Sequence, residues 1–160
     1  VKYLEWAKAY KENRIAVFYD TMWEGTRRLA EAIAAGVTKA DPKTEVRLYN
    51  LAKTDKNDAI AELFRAKAIL VGSPTINRGI LTSLASFFEE VKGLGFKGKK
   101  AAAFGCYGWS GESVKLISEQ LKACGFELVN DGIRALWNPG EASRAEGEKF
   151  GAAFAAAAME

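Results

Sequence analysis

Ile15-Ala16-Val17-Phe18-Tyr19, then Asp20-Thr21-Met22-Trp23-Glu24-Gly25-Thr26, then Leu29, Ala30, Ile33, Ala34 and Val37 at helical spacing: this stretch decides the fold. Five consecutive apolar residues predict a strand buried on both faces. A polar loop with two threonines and a glycine follows, and the amphipathic run after it predicts a helix. The first amides of such a helix have no partner inside it and carry a partial positive charge. A strand-loop-helix junction of this kind suits a phosphate.

The same alternation recurs along the chain. Glu45–Asn50 reads as a half-exposed strand, with Val46 and Leu48 to one side, after the turn at Asp41-Pro42. Asn57 or Asp58 is expected to cap a short helix carrying Ile60, Leu63 and Phe64. Ala68–Gly72 is a second continuous apolar run, and Leu81, Leu84, Ala85, Phe88 and Val91 trace a helix that Gly93 is expected to end. Ala101–Phe104 predicts a further strand, and Val114, Ile117, Leu121 and Cys124 a helix stopped by Gly125. Phe126–Val129 and Ile133–Trp137 read as one strand interrupted at Asp131-Gly132, or as two. Asn138-Pro139-Gly140 breaks the chain before a last helix, Glu141–Met159, with Phe150, Ala153, Phe154 and Ala157 as its expected buried stripe. The pattern predicts an α/β, doubly wound, five-stranded parallel sheet of order 2-1-3-4-5, with helices on both faces. Its ligand crevice lies at the carboxyl ends of strands 1, 3 and 4.

Composition narrows the chemistry. A chain of 160 residues is long enough for one well-buried core. Its 49% hydrophobic and 27% charged residues are those of a soluble globular protein, with no apolar run long enough to span a bilayer. The net charge of +3 argues against nucleic acid and permits an acidic protein partner. There is no histidine, which removes Ser-His and Cys-His catalysis and any histidine-bearing metal site within this chain. Cys106 and Cys124 have no metal or redox spacing and read as free thiols of a reducing, cytoplasmic compartment. The chain opens on Val1 rather than Met, as expected of a fragment, a processed chain or a trimmed one. Val1–Glu12, with Tyr3, Trp6, Ala7 and Tyr10 at helical spacing, reads as a short amphipathic helix outside the core domain. It is expected either to pack on this domain or to connect residues 1–13 to an upstream domain.

Three loops meet at the predicted crevice. The first offers the Thr21 and Thr26 hydroxyls, Gly25 and helix-start amides for a phosphate held by neutral donors. Glu24 is expected to point to solvent, since a carboxylate beside a phosphate is repulsive. The second, Ser73-Pro74-Thr75-Ile76-Asn77-Arg78-Gly79, is stiffened at Pro74, and Asn77 has both donor and acceptor for a heterocycle edge. The third, Gly105-Cys106-Tyr107-Gly108-Trp109-Ser110-Gly111, sets two large aromatics among three glycines. Exposed rings there call for a flat ligand or a protein surface, with Trp23 in the first loop as a third ring. A phosphate cradle, aromatic walls and a reader of ring edges together suit a flavin mononucleotide, FMN.

These residues resemble a known family. The region from Arg14 onward resembles a flavodoxin-like domain, and more narrowly the C-terminal domain of flavodiiron proteins. Tyr19-Asp20-Thr21-Met22-Trp23 through Thr26, Gly72-Ser73-Pro74-Thr75-Ile76-Asn77 with Gly79-Ile80-Leu81, and Phe104 through Gly111 carry the likeness, in that order and spacing. Glu24-Gly25 departs from the commoner glycine-first pattern, and Cys106 stands where a small residue is usual. The resemblance implies that residues 14–160 are an FMN-binding domain, with Thr21, Met22, Trp23, Glu24, Gly25 and Thr26 in the first loop. Ser73, Pro74, Thr75, Ile76, Asn77 and Gly79 in the second and Gly105, Cys106, Tyr107, Gly108, Trp109, Ser110 and Gly111 in the third complete the implied site. It implies electrons received from rubredoxin, a reductase module or reduced deazaflavin, and passed to a diiron metallo-β-lactamase-like domain that reduces dioxygen or nitric oxide. That domain is absent from this chain, which is then an electron carrier; a homodimer is implied for the full-length parent.

Other doubly wound proteins fit less well. A response-regulator receiver needs a carboxylate where Gly72-Ser73 stands. A nicotinamide-binding domain needs G-x-G-x-x-G after the first strand, and a low-molecular-weight phosphatase a cysteine in the first loop; neither is present. A free-standing flavodoxin-type quinone reductase is the enzyme alternative, and a cofactor-free interaction module the non-enzymatic one.

Overall fold

The computed structural model describes residues 10–160. The helix expected over Val1–Glu12 lies outside the described residues as far as position 9. Tyr10 and Lys11 have no regular structure, and Glu12 already belongs to the first strand.

The strands are β1 (Glu12–Tyr19), β2 (Glu45–Asn50), β3 (Ala66–Gly72), β4 (Lys100–Tyr107), β5 (Glu127–Leu128) and β6 (Ile133–Leu136). The helices are α1 (Gly25–Ala40), α2 (Lys56–Arg65), α3 (Thr82–Leu94), α4 (Ser113–Ala123) and α5 (Glu141–Met159). The sheet runs β2-β1-β3-β4-β5, the expected order, and every pairing is parallel. The fifth position is shared end to end. β5 pairs Lys100–Ala101 of β4, and β6 pairs Phe104 through Tyr107. The break falls at Gly132, whose φ of +84 and close approach to the Ala103 carbonyl admit no side chain.

Alternation along the strands feeds two cores. Ile15, Val17, Ala68, Leu70, Ala102 and Phe104 face α1 and α5. Ala16, Phe18, Ile69, Val71, Ala101 and Ala103 face α2, α3 and α4. Each fully buried Phe, Leu or Ile contributes about 1.5–3 kcal/mol relative to exposure. The α1–α5 contact is close enough to bring the two backbones together. A side-chain carbon on Gly36 would stand 2.0 Å from the Glu148 carbonyl, and one on Gly151 2.0 Å from that of Ile33. Near the start of β1, the largely buried Arg14 bonds Glu45 of β2 at 2.8 Å and Glu62 of α2 at 2.6 Å, and Tyr49 donates to the same Glu62 at 2.8 Å.

Some local expectations are corrected. Asp55, not Asn57 or Asp58, caps α2, its carboxylate accepting from the Asn57 amide at 2.8 Å. Gly95 in the left-handed conformation, not Gly93, ends α3, and Phe87 rather than Ala85 completes its buried face. The α5 stripe is Gly147, Gly151, Phe154 and Ala155; Ala153 is exposed, because the glycines let α1 approach from one residue further round. β4 continues through Gly105-Cys106-Tyr107, read above as loop, because β6 extends the ladder beside them.

Candidate functional site

The carboxyl ends of β1, β3 and β4 surround a cleft of about 370 Å³, a size usual for a small-molecule site. Asp20 sets its first wall. Its carboxylate accepts from the Thr21 amide at 2.7 Å and from the Ser83 hydroxyl of α3 at 2.6 Å, which fastens the loop after β1. Thr21, Met22 and Trp23 of that loop line the cleft, with Gly25 and Thr26 of α1. Glu24 turns away. It is the helix N-cap with φ +65, half exposed, and ion-paired to Arg27 at 2.9 Å. Arg27 also pairs with Glu31 at 3.2 Å. Glu24 gives α1 no side-chain cap, and the first turn holds no acidic residue.

Pro74 and Thr75 form the second wall. The Thr75 amide donates to the Cys106 carbonyl at 2.9 Å, and its hydroxyl accepts from the Ser113 amide at 3.2 Å. Ser73 is fully buried; its hydroxyl donates to the Pro74 carbonyl and accepts from the Leu81 amide, fixing this loop to the start of α3. Ile76-Asn77-Arg78-Gly79 is a tight turn closed by two Ile76–Gly79 backbone bonds of 3.2 and 2.7 Å. Asn77 and Arg78 hold φ of +49 and +58, the pattern of a type I′ turn. Ser73, Ile76, Asn77 and Gly79 therefore shape the loop and do not line the cleft.

The third wall is the end of β4 and the turn beyond it: Cys106, Tyr107, Gly108 and Trp109. Trp109 is 99% exposed and Trp23 77%, so neither ring is covered by the domain itself. The Arg134 guanidinium lies 5.9 Å from the centre of the Tyr107 ring. Gly105 sits behind the wall, where a side-chain carbon would stand 2.4 Å from the Ser73 carbonyl, and Ser110 and Gly111 lie beyond the cleft. Burial pushes the Cys106 thiol up to about 11, with the Thr26 hydroxyl beside it pulling the other way, so it stays a neutral small apolar filler at physiological pH.

Two residues not anticipated from sequence, Trp137 and Asn138, close the remaining side. The signal available was topological: β6 ends at the same edge of the sheet as β1, β3 and β4, so the loop after it also opens onto the crevice. The Asn138 side-chain oxygen accepts from Arg28 at 2.7 Å.

No charged side chain lines the cleft among the described residues. Its polar equipment is neutral. The hydroxyls of Thr21 and Thr26 are buried; Thr21 has no hydrogen-bond partner, and Thr26 has only the weakly polar Cys106 thiol beside it. Burying a hydroxyl without a strong partner is unfavourable, and Thr26 stands in the first turn of α1, whose amides have no side-chain cap. Such a donor set is complete only with an acceptor, and a phosphate at a helix start supplies one. The exposed rings beside it suit the flat face of an isoalloxazine. The residues present fit FMN, and the fold and cleft define a flavin-nucleotide domain.

The flavodoxin family model matches residues 17–150, and the chain belongs to that family. It is 46% identical over 138 residues to the anaerobic nitric oxide reductase flavorubredoxin of Klebsiella pneumoniae, covering 86% of this chain and 28% of that protein. Rubredoxin oxygen:oxidoreductase from Desulfovibrio gigas superposes with a TM-score of 0.89 at 32% identity, covering 99% of this chain and 40% of that one. The flavodiiron protein of Giardia intestinalis gives 0.91 at 26% identity, over 99% and 39%. The chain thus spans less than half the length of these relatives, and it resembles their flavodoxin-like portion. The cofactor of this family's site is FMN. No helix among the described residues is long and apolar enough to cross a membrane, and no metal-holding cluster of acidic and cysteine side chains occurs among them.

Proposed function

We propose that this chain is the electron-carrying FMN domain of a flavodiiron protein. It receives electrons from a donor such as rubredoxin, a reductase module or reduced deazaflavin, and delivers them to a diiron metallo-β-lactamase-like domain that reduces dioxygen or nitric oxide. The observation that carries the reading is the pair of buried hydroxyls of Thr21, before α1, and Thr26, in its first turn, which lack a strong hydrogen-bond partner and line a cleft walled by exposed aromatics. The length and names of the relatives support the wider setting.

FMN, when bound, supplies the redox chemistry. The chain's own residues bind and orient it. Thr21, Thr26 and the first amides of α1 donate to the phosphate, with the helix dipole in place of a cation. Trp109 and Tyr107 would flank the ring system of bound FMN and limit water at it, while Thr75, anchored through its amide to Cys106 and through its hydroxyl to Ser113, holds the second wall rigid. Ser73, Asn77 and Gly79 keep the second loop in shape, and Gly105, Ser110 and Gly111 support the third. Residues 1–13 connect this domain to an upstream one, the parent assembles as a homodimer, and the compartment is the cytoplasm, in keeping with two unpaired cysteines.

Titration of the apo-protein with FMN tests the reading. Stoichiometric quenching of flavin fluorescence and a yellow complex are expected. Unquenched flavin at micromolar protein refutes it.

A further inference from the structure

The loop after β6 has no part in that reading, yet its first residue holds an uncommon backbone. Trp137 has φ +44, the left-handed region that a bulky aromatic side chain rarely occupies. Strain of this kind persists only where the surroundings enforce it, and it gathers at ligand sites. Three contacts enforce it here. The Trp137 amide donates to the Tyr107 carbonyl at 2.5 Å. Its own carbonyl crowds α1, where a side-chain carbon on Gly25 would stand 2.9 Å from it. Its indole crowds the turn after β4, where a carbon on Gly108 would stand 2.8 Å from the ring.

One residue therefore touches both glycines that open the cleft, one at the helix start and one between the aromatics. The indole nevertheless remains 67% exposed and lines the cleft. Packing within the domain does not account for a strained backbone that presents a large ring to solvent. We propose that Trp137 is a further cofactor-binding residue: its indole contacts the flat ring system of the flavin from the β6 side. The inference rests on the FMN reading above and adds the loop after β6 to the site.

Trp137→Gly separates a binding role from a structural one. Glycine is at ease at this φ, so the apo-protein should melt no lower than the parent. Loss of the ring should weaken FMN about tenfold. Riboflavin, which lacks the phosphate, should weaken by a similar factor, and the visible circular dichroism of bound flavin should change. Trp137→Phe should recover most of the affinity. Unchanged affinity for both flavins in Trp137→Gly overturns the inference. So does a loss confined to FMN, which would make Trp137 a spacer for the phosphate loop. A fall in apo melting temperature, with Trp137→Phe restoring stability and not affinity, would make the ring structural and also overturns it. If the parent itself binds neither flavin, the FMN reading fails first.

Discussion

Replacing Thr26 with valine, nearly the same shape without the hydroxyl, is expected to move stability and binding in opposite directions. In the apo-protein Thr26 is 1% exposed, and its hydroxyl has only the weak Cys106 thiol beside it. A buried hydroxyl without a strong partner costs about 1–3 kcal/mol. Removing it should stabilise the apo-protein by up to that amount, about 2–12 °C in melting temperature for a domain of this size. In the complex the same hydroxyl donates to a charged phosphate, a bond worth about 1.5–3 kcal/mol. Its loss should weaken FMN about 10- to 150-fold. Differential scanning calorimetry of the apo-protein and fluorescence titration with FMN read the two effects separately. Riboflavin, without a phosphate, should bind the variant as it binds the parent. An apo melting temperature that falls, together with unchanged FMN affinity, would refute the assignment of this hydroxyl to the phosphate.

Trp109→Ala removes a ring that is 99% exposed, so apo stability should stay within about 0.5 kcal/mol of the parent while FMN binding weakens; equal binding in a titration would exclude the ring from the site. Arg14→Met takes from Glu62, only 13% exposed, the nearer of its two cations and leaves Arg65 at 2.9 Å. Urea unfolding should show a loss below about 3 kcal/mol, the low end for a fully broken buried pair, because Arg65 still compensates Glu62 and Glu45 on the other side is 44% exposed. The unfolded Cys106 thiol ionises near its ordinary value of 9.0, whereas the native one keeps its proton to about 11. The unfolded chain then binds fewer protons in that window, so stability should decline as pH rises from 9 to 11. Cys106→Ala should remove that part of the decline, and parallel melting curves for parent and variant across the window would refute it.

The sheet was legible because β1 and β3 are unbroken apolar runs and β2 alternates, which separates central strands from an edge without any tertiary knowledge. The end of β4 was not. Gly105 and Gly108 suggested a loop from Gly105 onward, but the ladder continues to Tyr107 because Ile133 through Leu136 pair with it from far along the chain. Local sequence has no access to such a pairing. The outward Glu24 of the first loop was legible, since a carboxylate turned into a phosphate-binding loop would be repelled, and the structure pairs it with Arg27 at 2.9 Å. Trp137 escaped because its importance lies in a backbone angle and in two glycines more than 25 residues away. Ser73 and Asn77 have local tasks that the sequence did not display: the Ser73 hydroxyl is used inside the fold, and Asn77 stands in a turn with positive φ.

The close seam between α1 and α5 has a consequence for synthesis. Leu29, Ile33 and Val37 are covered by a helix that begins only at Glu141, about 100 residues after α1 ends. At ribosomal rates of about 5–20 residues per second, this face waits about 5–20 s for its cover. Nascent chains halted before Glu141 are therefore clients for chaperones, and the nineteen residues of α5 close this face.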